Sequence, residues 1–177
     1  TALMPSPASA LSAPATWAGK RIAVFGGSGF IGSRVCRACV EVFGCASVIS
    51  VSRTGGCPEW AHDQPWASTV DWTAGDAAED GVALSAMRGG VDAVVSCVGT
   101  ANVFSMGADG YSPSAFTADG HTRRQYYTDL NGPPNVRIAE AAAAAGATRL
   151  SFVGVATDVE NGLRGSMPGT FEGKQAA

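Results

Sequence analysis

One glycine-rich turn, set between a short apolar run and a stretch of helical periodicity, constrains this chain more than any other feature. The run is RIAVF at residues 21–25, and the turn is GGSGFIG at residues 26–32. A short apolar run stopped by glycine reads as a buried strand. Beyond the turn, Ile31, Val35, Cys39, Val42 and Phe43 recur at the spacing of one helix face. Gly26, Gly29 and Gly32 therefore form G-x-x-G-x-x-G directly between strand and helix. The first glycine allows a tight turn, the second lets backbone approach a diphosphate, and the third lets helix and strand pack closely. The helix N-terminus adds unpaired N–H groups and partial positive charge. Gly26, Gly27, Ser28, Gly29, Phe30, Ile31 and Gly32 are accordingly the candidate diphosphate contacts.

The remainder alternates between β-rich runs and helical stretches, the pattern of a parallel sheet with flanking helices. Strands are expected at 21–26, 47–53, 68–76, 91–99 and 148–156, and helices at 30–43, 77–90 and 133–147, the last entered through Pro133 and stopped by Gly146. Residues 100–125 read as a long surface excursion at a strand's carboxyl end, where ligands bind in such folds. The expected fold is α/β: a Rossmann-like, doubly wound parallel sheet with flanking helices, C-terminally truncated. Residues 20–177 form the dinucleotide-binding domain in this reading. Residues 1–19, without a charged side chain, read as a flexible linker or transit-peptide remnant.

The end of the second strand bears on which dinucleotide fits. A carboxylate there serves the free ribose hydroxyls of NAD. This chain has Ser52, Arg53 and Thr54 instead, a guanidinium and two hydroxyls that suit a 2′-phosphate. NADP(H) is therefore preferred over NAD(H).

Composition narrows the partners. Of 177 residues, 46% are hydrophobic and 15% charged, which is a globular composition, and the net charge of −3 comes without a basic block. Nucleic acid is not an expected partner, and no stretch is long and apolar enough to span a bilayer. Five cysteines, an odd number without secreted-scaffold spacing, indicate a reducing compartment. Cys36 and Cys39 share one helix face and read as small apolar packing groups; with Cys57 and His62 they lack the second close ligand pair that a zinc site needs, so no metal is expected. Trp60, Trp66 and Trp72 read as packing against the sheet rim, and His62 and His121 as surface loop residues.

The ordered series GGSGFIG, VSR, VDWTAGD, VVSCVG, LNGPPNVRIAEAAAAAGATRLSFV and EGK, over residues 20–177, resembles the atypical short-chain dehydrogenase/reductases. It is most similar to the NAD(P)-binding proteins related to the reductase-like accessory subunit of respiratory complex I and their plant or algal homologues. The resemblance implies an adenine contact near Gly75 and Asp76, a cofactor-lining stretch at Cys97, Val98 and Gly99, and Asn131 at the start of the central helix. It also implies that Lys174 holds the nicotinamide ribose and serves catalysis. Working members of the family place a Ser or Thr at the end of the fifth strand and a Tyr four residues before the Lys. Here those positions are Gly154 and Thr170, with Ser151 three residues before the glycine, and an aliphatic hydroxyl is too weak an acid to replace a phenol.

Three functions are then open. One is an NAD(P)(H)-binding, reductase-like protein with weak or no dehydrogenase activity and a structural or regulatory role beside a quinone-linked complex of a mitochondrion or plastid. A second is an active NADPH-dependent reductase or isomerase whose proton donor is non-standard, with Asp109, Tyr111 and His121 as candidates. A third is a protein-interaction module that no longer binds nucleotide. The expected compartment is a mitochondrion or plastid, otherwise the cytoplasm.

Overall fold

The computed structural model describes residues 17–99, 123–154 and 170–176. Five strands, β1 (Arg21–Phe25), β2 (Ser47–Ser52), β3 (Val70–Ala74), β4 (Ala93–Ser96) and β5 (Arg149–Phe152), form one sheet in the order β3-β2-β1-β4-β5. Every pairing is parallel, with Ile22 opposite both Val48 and Ala93. Parallel neighbours require crossovers, and helices supply most of them. The helices are α1 (Phe30–Glu41), α2 (Val82–Ala86), α3 (Arg123–Asn131), α4 (Pro133–Ala144) and, after β5, α5 (Thr170–Ala176).

The alternation of side chains along β1 builds two cores, one on each face of the sheet. Ala23 and Phe25 join Ile49, Val51, Met87, Val94 and Ile138 under α2 and α4. Ile22 and Val24 join Val48, Val70, Trp66 and the Cys36 and Cys39 side chains of α1. The alanine run of α4 puts Ala141 and Ala142 against the sheet and leaves Ala143 and Ala144 exposed. Helices thus cover both faces, as the alternating pattern predicts.

The β2–β3 crossover departs from a helix. Two 3-10 turns, Glu59–Ala61 and Pro65–Thr69, make it, so residues 68 and 69 belong to a turn and not to the strand expected there. Pro65 presets the turn, while Ser68 Oγ donates to Pro65 O at 2.8 Å and Thr69 Oγ1 to Trp66 O at 2.7 Å. Trp66, 3% exposed, fills the place of a helix beneath β2 and β3 and packs between Trp60 and Trp72 at centroid separations of 5.8 and 6.2 Å. Trp66 and Trp72 are packing groups, as expected, whereas Trp60 remains 45% exposed at the rim.

The helix expected at 77–90 shortens to Val82–Ala86. Asp76 accepts the Ala78 N–H at 2.9 Å in a local turn, and Gly81, Gly89 and Gly90 all hold positive φ, so both ends are turns. Residues 123–125, read as surface excursion, instead open α3. Asn131 accordingly ends α3, and Gly132 separates it from α4. Residues Asp109, Tyr111 and His121 lie outside the described residues.

Candidate dinucleotide site

The carboxyl ends of β1, β2, β3 and β4 open into a cleft of ≈ 310 Å³. Its lining includes Gly26, Ser28, Gly29, Ser52, Arg53, Thr54, Gly75, Asp76, Cys97, Val98 and Gly99, so eleven of the candidates named from sequence meet at one place. Four parallel strands carry them there because each strand's last residue lies at the same sheet edge. A larger groove of ≈ 680 Å³ runs between α2 and α4 on the outer face, away from the strand ends and the glycine turn. Ligands of parallel α/β sheets sit at the strand ends, so the smaller cleft is the candidate site.

The glycine turn is shaped by close backbone approach. Gly26 has φ +75°, and a Cβ there would stand 2.9 Å from the Cys97 carbonyl oxygen. Gly29 N donates to Gly26 O at 3.0 Å and Gly29 caps α1 in extended conformation. No acidic side chain stands in the first turn of α1, and no side chain caps it. Its leading N–H groups therefore face the cleft end of the helix, the arrangement that attracts anions.

The remaining candidates divide by what they touch. Gly27 and Gly32 are buried. A Cβ on Gly27 would stand 2.2 Å from Ser50 Oγ, so this glycine lets the turn settle onto β2. Phe30 and Ile31 point outward at 77% and 48% exposure, and the Arg34 guanidinium stacks on the Phe30 ring at 3.8 Å. Neither side chain lines the cleft.

At the far end stands a buried polar network that sequence reading named only through Asn131. Ser96 Oγ donates to Asn135 Oδ1 at 2.5 Å. Asn135 Nδ2 donates to Asn131 O at 2.8 Å and reaches Val98 O at 3.4 Å. Asn131 Nδ2 donates in turn to Tyr127 O at 2.8 Å. These bonds fasten β4, α3 and α4 together directly behind the Val98 wall of the cleft. Asn135 escaped notice because a lone Asn one helical turn past Asn131 carries no motif.

Lys174 is held beside this wall. Its ammonium donates to Val153 O at 2.9 Å, lies 4.8 Å over the Phe152 ring, and would meet a Cβ on Gly99 at 2.9 Å. Burial lowers its pKa below the ordinary lysine value, with the Cys97 thiol opposing that shift. The two positions that would supply hydroxyls do not face the cleft. Gly154 has no side chain, and Thr170 is 1% exposed within the packing of α5. Ser151 lies on β5 and lines a cavity on the α1 side of the sheet.

The thiols are protonated near neutral pH. Burial pushes Cys36 and Cys39 up to about 12 and Cys97 up to about 11, the Lys174 ammonium pulling Cys97 the other way. Among the described residues no three His, Cys, Asp or Glu side chains converge on a metal position. The His62 ring Nε2 lies 2.9 Å from the Cys57 backbone oxygen. A raised pKa means the folded state holds its proton longer than the unfolded chain. The stabilisation is complete below the unfolded value near 9 and is lost as pH rises toward the folded value. For fully buried Cys36 the slope is about 1.4 kcal/mol per pH unit in that window. Urea midpoints measured between pH 8 and 11 are expected to fall, less steeply in Cys36→Ala; a flat profile would contradict this.

No protein-family profile matches the chain. A segment of 58 residues, 32% of this chain, is 41% identical to MIOREX complex component 2 of Saccharomyces cerevisiae and covers 20% of that protein. A short-chain type dehydrogenase/reductase from Mycobacterium ulcerans superposes with a TM-score of 0.65 at 20% identity, over 90% of this chain and 59% of its own. WbmF of Bordetella bronchiseptica, in complex with NAD+ and UDP, gives a TM-score of 0.58 at 14% identity, over 92% of this chain and 45% of its own. The chain thus spans about half the length of these solved structures and a fifth of the yeast protein. The geometry and these likenesses agree on one point: the chain has the Rossmann-like, doubly wound α/β fold of those two structures.

Proposed function

We propose that this chain is a nicotinamide-dinucleotide-binding protein of the atypical short-chain dehydrogenase/reductase kind, preferring NADP(H) and having weak or no dehydrogenase activity. The observation that carries the reading is the single cleft in which the glycine turn, the open N-terminus of α1 and Ser52-Arg53-Thr54 meet. Diphosphate against the Gly26–Gly29 turn directs the adenosine half toward β2 and β3. Arg53 and Thr54 are exposed at the β2 end, available to a 2′-phosphate. Asp76 stands at the β3 end for the adenine, and Cys97, Val98 and Gly99 bound the nicotinamide half. WbmF holding NAD+ within the same fold supports the general class of ligand.

The proposal of weak catalysis rests on Thr170 and Gly154. A buried aliphatic hydroxyl and a missing side chain leave nothing at those two positions to exchange a proton with a carbonyl oxygen. Lys174 serves the ribose end and the Gly99 wall in this reading. The 58-residue likeness to a component of a yeast complex supports a role within a protein assembly. The mitochondrion or plastid is the compartment that the complex I resemblance implies.

NADPH fluorescence titration tests the cofactor directly. Wild type is expected to bind NADPH more tightly than NADH. Arg53→Ser should weaken NADPH about tenfold or more, the worth of one charge-assisted contact, and leave NADH unchanged. Equal losses for both would remove the 2′-phosphate assignment. No binding of either at millimolar concentration would remove the dinucleotide altogether. Rapid turnover with quinones or simple carbonyls would refute the catalytic part alone.

A further inference from the structure

We infer that Cys39 and Cys45 are an oxidisable pair that closes to a disulfide under hydrogen peroxide, whatever the cleft binds. Gly44, at φ +61°, turns the chain back at the end of α1, and Cys45 N donates to Cys39 O at 3.0 Å. A direct backbone bond of this kind keeps the two Cα atoms near the separation of about 4.4–6.8 Å that a disulfide spans. Both thiols line one cavity of ≈ 290 Å³ beside Trp17 and Phe43. Cys45 is half-buried, while Cys39 is 7% exposed.

The other thiols are placed differently. Cys36 is completely buried on rigid α1, Cys97 belongs to the cleft, and Cys57 contacts Pro58 O in the β2–β3 crossover. Cys45 lies outside the helix, just after the Gly44 turn. Burial raises both thiols, Cys39 up to about 12; at Cys45 the contact with Cys39 opposes the rise. The more exposed Cys45 therefore reacts first.

Its thiolate attacks one peroxide oxygen, the O–O bond breaks, and the departing hydroxide takes a proton to become water. Cys39 sulfur then attacks the Cys45 sulfenic sulfur, and the S–O bond breaks. The Cys39 proton leaves with the hydroxyl as a second water. Two thiols are oxidised by two electrons, and one peroxide is reduced to two waters. The product ties the carboxyl end of α1, whose other end bears the glycine turn, to the segment entering β2.

The full chain treated with one equivalent of hydrogen peroxide should lose two of its five titratable thiols after unfolding. Peptide mapping should join the Cys39 and Cys45 peptides, and dithiothreitol should restore all five. Cys45→Ser, at a half-buried turn position, should abolish the paired loss, whereas Cys57→Ser should keep it. A bridge mapping to any other pair, unchanged thiol counts in wild type, or a paired loss persisting in Cys45→Ser would each overturn the assignment. Circular dichroism on the variants excludes loss of fold as the cause.

Discussion

Gly32→Ala is expected to destabilise the protein by about 3 kcal/mol or more, the upper end of what overpacking costs. The added Cβ would lie 2.1 Å from Gly26 O, 2.7 Å from the Gly26 carbonyl carbon and 2.8 Å from Gly27 Cα. All three are backbone atoms of the turn, so no side chain can swing aside. Either α1 withdraws from β1, breaking the core around Cys36 and Val24, or the turn itself opens. In a chain of this size the thermal midpoint should fall by roughly 6–12 °C. Gly56→Ala is the control, since Gly56 has open space around its Cα and no positive φ. It should shift the midpoint by no more than about 2 °C. Equal midpoints for the two variants would mean that α1 does not sit against the turn as described.

Asn135→Leu should cost about 2–4 kcal/mol, although leucine is the better helix former. Asn135 is 5% exposed, and its amide joins Ser96 on β4, the Asn131 carbonyl at the end of α3, and Val98 O in the cleft wall. Leucine would strand the Ser96 hydroxyl in a dry interior, which costs the full desolvation of that group. Removing the hydroxyl as well should recover part of the loss. Ser96→Ala combined with Asn135→Leu is expected to be less destabilised than the sum of the singles by about 1–2 kcal/mol. Strict additivity would show that the bond between them contributes nothing. Because Val98 bounds the cleft, Asn135→Leu should also weaken NADPH more than a remote destabilising variant of equal cost.

Much of this molecule is local and therefore readable along the chain. RIAVF, SVISVS and AVVS are apolar and β-rich, and each reaches its turn through a glycine or small polar residue, so three inner strands and their direction follow from pattern. The glycine spacing follows from sterics within seven residues. Ser52, Arg53 and Thr54 line the strand-end cleft because residues at the end of a parallel strand lie at that edge of the sheet. Where local chemistry competed with periodicity, pattern misled. Pro65, with the Ser68 and Thr69 hydroxyls, converts the start of the expected third strand to a 3-10 turn, and Asp76 and Gly81 shorten α2. α3 is not legible in the pattern because RRQYYTDLN is mostly polar and offers no run of apolar residues at helical spacing.

What the amino-acid order settled alone was the class of fold and the position of the glycine turn between β1 and α1, because both depend on residues close together in the chain. Which hydroxyls face the cleft was decided only in three dimensions. Thr170 and Ser151 both carry hydroxyls near the expected positions, yet one is sealed within helix packing and the other lines the opposite side of the sheet. The same holds for the Ser96–Asn135 bond and the Cys39–Cys45 approach. Side-chain direction depends on which elements pack together, and that is a property of the assembled sheet.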